Sequence, residues 1–247
     1  MKKEEDVFKE FRDSFSKMKG HFHILEQRVP VNRQMEYFKY SENMRKNESP
    51  VPLNDEESEG IYQLLMREDI STEEKKHLLT TLASAKSVKA YRLLEQYVQH
   101  PDNAIADWAY MALMESRISL ESELSDEQQI YISTGLGGKA EKLRFYMLIL
   151  SKEKKVFEEY QRQVIEREFA YLLPKQQCEI ERLTIEDQYV ELLFLVPIRT
   201  DIKEVLDGVI TECNQYGDFL SKGFTVTNVK ELTKEEITDM IRQDGND

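Results

Sequence analysis

Two cysteines in 247 residues, Cys178 and Cys213, are too few for a disulfide framework and too far apart for a metal knuckle. Nine glycines and six prolines are too few for a disordered chain. No apolar run approaches the ~20 residues needed to cross a bilayer. At the N-terminus, "MKKEEDVFKEF" places acids where a signal peptide would need an apolar core. Together these absences predict a protein of the reducing cytoplasm with no membrane segment. With 40% hydrophobic and 33% charged residues, the chain has the profile of a helix-rich globular protein and enough length for two domains. Its formal charge of −13 is spread evenly, −7 before Leu136 and −6 from there on. Such a field repels a phosphate backbone, so nucleic acid is not an expected partner unless a concentrated basic patch overcomes it. One small basic cluster is visible, beside the glycines of "STGLGGKAEKLRFYMLIL" (Ser133 to Leu150).

Along the chain, residues 1–20 carry Val7, Phe8, Phe11, Phe15 and Met18 at helical spacing, with Gly20 placed to end the helix. Residues Ser41 to Glu59, rich in turn formers and acids, read as an exposed loop. "IYQLL" (Ile61 to Leu65) then recurs as "AYRLL" (Ala90 to Leu94), and each unit reads as two helices. In the second, Ile105, Trp108, Ala109, Ala112 and Leu113 form one apolar stripe after a Pro/Asp turn. Over about 58–119 the pattern resembles HEAT-type helical repeats, although the units are shorter and only two are visible.

Past Gly138 the periodicity changes. "KLRFYMLIL" reads as a central strand, and "KVFEEYQRQVIEREFAYLL" as a helix with Tyr160, Val164, Ile165, Phe169 and Leu172 on one side. "CEIERLTI" and "YVELLFLVPI" form a hairpin about a short turn. "DIKEVLDGVITECNQYG" is a helix capped by Asp201 and ended by Gly217; "GFTVTNVKEL" is a last strand, and "TKEEITDMIRQ" a terminal helix with Thr233 and Glu236 as a capping box. The order β-α-β-β-α-β resembles the ferredoxin-like split βαβ fold. The expected class is α+β in two domains: a helical domain over 1–134, a glycine-rich hinge over 135–142, and a ferredoxin-like domain with a terminal helix over 143–247.

Gly135, Gly137 and Gly138 with Lys139, Lys142 and Arg144 do not make a Walker loop. Gly138-Lys139 is followed by Ala140, Ser133 stands where the first glycine belongs, and the segment precedes a strand where a Walker loop opens a helix. Two readings of these six residues remain, an anion nest of amides and cations or a hinge with solvated lysines. His21 and His23 share one side of a strand without a third metal ligand. His77 and His100 have no partner spacing, and Cys213 falls on an apolar stripe. Trp108 is either core or an anchor for a partner. No catalytic residue, metal or cofactor is assigned. The expected function is a non-enzymatic protein-interaction scaffold for a basic protein partner, with homo-oligomerisation left open. The alternative is phosphate or other anion sensing, or a weakly signalled enzymatic site, at the glycine/lysine loop.

Overall fold

The computed structural model describes residues 21–47, 53–125 and 129–243. The helix expected over 1–20 lies outside them. The protein is mixed α+β with an antiparallel sheet, and its described residues divide into two compact units: one within 21–23 and 29–132, the other joining 24–28 to 133–243.

The first unit contains the short strand β1 (His21–Ile24), helices α1 (Val31–Asn47), α2 (Asp55–Leu65), α3 (Thr72–Ser84), α4 (Val88–Gln99) and α5 (Ala106–Leu124), and strand β2 (Gln129–Ile132). Local chemistry sets the starts of α2 and α3. Asn54 accepts the Glu57 amide while Glu57 accepts the Asn54 amide, both at 2.9 Å, and Ser71 and Glu74 repeat this reciprocal cap. The residues expected to form a loop from Ser41 are instead helical as far as Asn47. The signal is hidden because the buried face of α1 is polar: Gln34 donates to the Val29 carbonyl at 2.7 Å, and the Tyr37 and Ser41 hydroxyls both donate to Glu115. Helix α5 packs on α1, α3 and α4. Trp108 lies at their meeting point, 6% exposed, with Nε1 donating to Thr80 Oγ1 at 3.2 Å and its ring edge-on to Tyr37 and Tyr40.

The second unit runs β3 (Gly138–Lys139), β4 (Lys142–Ser151), α6 (Glu159–Lys175), β5 (Glu179–Ile185), β6 (Tyr189–Pro197), α7 (Ile202–Asn214), β7 (Leu220–Thr227) and α8 (Lys234–Gln243). The sheet is antiparallel throughout. Its strands lie in the order β5-β6-β4-β7, with β3 also on β4. Strand β4 is the most apolar segment because it is paired along both edges and covered on both faces. Helices α6 and α7 pack on each other and against β5 and β7 respectively. Alternation turns Tyr146 and Leu148 to a second, smaller core with Leu136, Leu193 and Ile237 of α8. The buried stripe of α6 is Val164, Ile165, Phe169 and Leu173, while Tyr160, expected on that stripe, is 46% exposed. In α7 the stripe from Ile202 to Cys213 is buried, and Asp201 accepts the Glu204 amide at 3.2 Å.

Candidate nucleic-acid interface

The glycines of Gly135–Gly138 answer to packing. A Cβ at Gly135 would stand 1.9 Å from the Val229 carbonyl oxygen, one at Gly137 2.4 Å from that of Glu26, and one at Gly138 2.3 Å from that of Lys142. Gly137 also holds φ +68°, which a side chain disfavours. Nearby amides already have acceptors: Leu136 N donates to Asn228 at 3.0 Å and Gly137 N to Thr134 at 3.3 Å. Lys142 pairs with Glu179, and Arg144 grips Glu181 through Nε and Nη2 while its Nη1 donates to the Leu136 carbonyl at 2.7 Å. The Arg144 side chain is only 12% exposed. Its guanidinium bonds hold the Glu181 carboxyl below the usual carboxylate range. Lys139 is the exposed cation of the six.

Other sequence candidates fall elsewhere. His23 stacks on Tyr131 at 4.6 Å between centroids and lies 3.7 Å from Glu121, and Cys178 and Cys213 are buried free thiols. Among the described residues no group of three His, Cys, Asp or Glu side chains is placed to hold a metal.

A denser cluster of cations forms at the other end of β4. Ser151 closes that strand opposite Leu220, which opens β7, so the segments 151–158 and 217–222 meet although about 70 residues separate them. Two adjoining cavities of about 390 and 400 Å³ share Ser151, Lys152, Glu153 and Asp218 in their walls. The backbone there is under strain, with Glu153, Lys154 and Asp218 at φ 57°, 56° and 50°. Each left-handed non-glycine residue costs about 1 kcal/mol or more and persists only because its surroundings fix it. Those surroundings are visible: Lys152 N donates to the Phe219 carbonyl at 2.7 Å, Gln188 Nε2 to the Lys154 carbonyl at 2.6 Å, and Phe157 N to the Asp187 carbonyl at 2.8 Å.

Four lysines, Lys152, Lys154, Lys155 and Lys222, face three carboxylates in these walls, in a chain that is strongly acidic as a whole. Lys152 pairs with Asp218, a hydrogen bond that raises the amine and lowers the carboxyl, and Lys155 pairs with Glu153 at 2.7 Å. Lys154 and Lys222 hold no ion pair among the described residues. Two exposed tyrosines lie near Gly217 in space or in sequence, in the wall of one cavity. The Tyr160 hydroxyl is 3.2 Å from where a Cβ at Gly217 would stand, and Tyr216, 50% exposed, lies beneath the Arg167 guanidinium at 4.9 Å. A third cavity, of about 500 Å³ between α6 and α7, has the opposite polarity, with Asp201, Glu204 and Glu212 against Lys175. The walls at the β4 end thus carry one more cation than carboxylates, whereas those between α6 and α7 carry two more carboxylates than cations.

No protein-family model and no curated protein matches the chain. Among solved structures it is similar to a candidate transposase from Deinococcus radiodurans R1, at 18% identity over 43% of this chain and 93% of that one, with a TM-score of 0.37. It is also similar to a REP-associated tyrosine transposase bound to a REP hairpin, at 9% identity over 39% of this chain and 61% of that one, with a TM-score of 0.32. The expectations of a non-enzymatic protein-interaction scaffold, of HEAT-like repeats and of a protein partner without nucleic acid are corrected by these neighbours, one a candidate transposase and the other a transposase bound to a REP hairpin. The helical segment read as a repeat array owes its apolar stripe to α5 being packed by three other helices at once. The even acidity that argued against a phosphate backbone is interrupted by lysines that only the β4–β7 pairing brings together.

Proposed function

We propose that the protein binds nucleic acid through the lysine-bearing end of its sheet, on a second unit that is a ferredoxin-like domain, the first unit being a separate helical domain. The order β4-α6-β5-β6-α7-β7 with strands arranged β5-β6-β4-β7 supports that fold reading. One observation carries the functional reading: the cavities walled by Lys152, Lys154, Lys155 and Lys222 reach Gly217, which the hydroxyl of exposed Tyr160 approaches and which half-exposed Tyr216 precedes in the chain. Cations track a phosphate backbone, and exposed rings offer faces on which bases stack, so the two together suit nucleic acid better than a simple anion. With a net charge of −13 the protein as a whole opposes the encounter, so attraction acts only within the ~8 to 10 Å over which charges are felt at ordinary ionic strength. Binding is then weak at physiological salt, in the range of ~10⁻⁴ to 10⁻⁶ M typical of sequence-independent contacts, and tighter at low salt. Buried free thiols at Cys178 and Cys213 favour a cytoplasmic setting.

Titration of a fluorescently labelled oligonucleotide with the full chain at low salt tests this reading. Binding to the parent and its loss in Lys154→Glu/Lys222→Glu are expected. Equal binding by the two proteins would place the nucleic acid elsewhere.

A further inference from the structure

Of the twelve tyrosines only three are exposed, Tyr160, Tyr171 and Tyr216, and all three belong to α6 or to the turn that follows α7. Tyr160, Arg167 and Tyr171 stand seven and four residues apart, so they share one face of α6. Arg167 reaches across to Tyr216, and Lys175, one turn beyond Tyr171, lies over that ring at 3.5 Å from its centroid. The rings thus form a row along the outside of one helix. The levels of Tyr160 and Tyr171 are about 16 Å apart at ~1.5 Å per residue, the length of about four to five stacked bases at ~3.4 Å each.

Both ends of the row are marked by charge. At one end the Tyr160 hydroxyl approaches Gly217, in the wall of the cavity that also holds Lys152 and Lys155. At the other, Lys175 borders the cavity walled by Asp201, Glu204 and Glu212, which repels a phosphate backbone. Between them, Arg167 over Tyr216 and Lys175 over Tyr171 each set a positive charge beside a flat apolar face, although Arg167 also holds Glu168 at 2.8 Å. A nucleotide presents the matching pair, a base to lie on a ring and a phosphate to lie near a cation.

We infer that the ligand is a single strand of nucleic acid lying along this row, with bases stacked on Tyr160, Tyr216 and Tyr171 and the backbone beside Arg167 and Lys175. The inference rests on the nucleic-acid reading and names the form of its ligand. In a duplex the bases cover one another's faces, so a protein ring reaches only a terminal pair. A single strand offers every base to a ring.

The experiment measures the fluorescence anisotropy of one labelled single-stranded oligonucleotide and of its blunt duplex, on the parent, Tyr171→Ala and Tyr171→Phe. Tyr171 lies outside the walls of the lysine-bearing cavities and is 59% exposed, so its replacement leaves those walls and the melting temperature unchanged. The parent is expected to bind the single strand at least about tenfold more tightly than the duplex, the scale of one stacked base. Tyr171→Ala should bind the single strand about 5- to 150-fold more weakly and the duplex as the parent does. Tyr171→Phe keeps the ring and should keep the affinity. If the duplex binds the parent as tightly as the single strand, the inference is overturned and the nucleic-acid reading stands. Full single-strand affinity in Tyr171→Ala also overturns it, as does a loss in Tyr171→Phe equal to that in Tyr171→Ala. If neither oligonucleotide binds, both readings fall.

Discussion

The Arg167 guanidinium lies over the Tyr216 ring, 4.9 Å from its centroid, on a surface where that ring is half exposed. A cation stacked on one face fixes the ring and leaves the other available. Removing an exposed stacking ring costs about 1 to 3 kcal/mol of affinity per base. Tyr216→Ala and Tyr160→Ala are therefore each expected to weaken oligonucleotide binding about 5- to 150-fold. Both residues are about half exposed, so thermal unfolding should change little. Fluorescence anisotropy and a melting curve on the same samples check this. Unchanged affinity in both variants would remove the rings from the interface.

The glycine segment makes an opposite prediction, about stability. Gly135→Ala drives a Cβ into the Val229 carbonyl oxygen and is expected to cost about 2 to 4 kcal/mol. Gly208, in the middle of α7, has nothing within 4 Å of its would-be Cβ. Gly208→Ala should stabilise by about 0.5 to 1 kcal/mol, since alanine loses less freedom in a helix. Urea denaturation of the two variants separates them. Tolerance of alanine at Gly135 would contradict the packing.

Much of the second unit is legible from sequence because its elements rest on local signals. Asp201 starts α7, and Thr233 with Glu236 starts α8 through reciprocal bonds at 3.2 and 2.9 Å. The strand "KLRFYMLIL" needs no partner to be recognised, because burial on both faces makes nearly every residue apolar. Helix α1 is missed beyond Ser41 because its buried side is Gln34, Tyr37 and Ser41, held by hydrogen bonds in place of apolar contact. The site is hidden for a different reason. "SKEKK" and "SKG" are ordinary charged stretches until the Ser151–Leu220 pairing joins them. The glycines by contrast drew attention toward chemistry, although a carbonyl from a distant segment accounts for each of Gly135 and Gly137.

Arg144 and Glu181 give a pH prediction. Hydrogen bonds from the guanidinium hold the folded carboxyl below its ordinary value, whereas in the unfolded chain it titrates near ~4.3. A depressed folded pKa contributes stability that is present above the unfolded value and lost as pH falls through the folded one. Arg144→Ala should cost about 1 to 3 kcal/mol at pH 7. The difference from the parent should shrink as pH falls below about 4. Denaturation at several pH values measures it. A gap that stays constant down to pH 2 would show that the loss comes from packing alone.

The two thiols work in the other direction. Burial pushes Cys178 up to about 11 and Cys213 up to about 12, against ~8.5 for a free thiol. A raised folded value leaves stability intact below the unfolded pKa and erodes it as pH climbs through the interval between the two. Native protein at pH 8 should react slowly with a thiol reagent, at the rate of its opening, and quickly in denaturant. From about pH 8.5 to 10, Cys213→Ala should lose less stability than the parent. Rapid labelling of native protein would contradict the burial of both.

The salt dependence of oligonucleotide binding tests the central claim most directly. Between about 50 and 200 mM salt, the parent's log affinity should fall linearly with log salt, and each lysine in contact with phosphate should account for a slope of about 0.7 to 0.9. Replacing Lys152, Lys154, Lys155 and Lys222 singly by alanine should each lower the slope by about one, and the quadruple variant should bind negligibly. A parent that binds no oligonucleotide at low salt, or a quadruple variant with the parent's affinity and slope, would contradict the account.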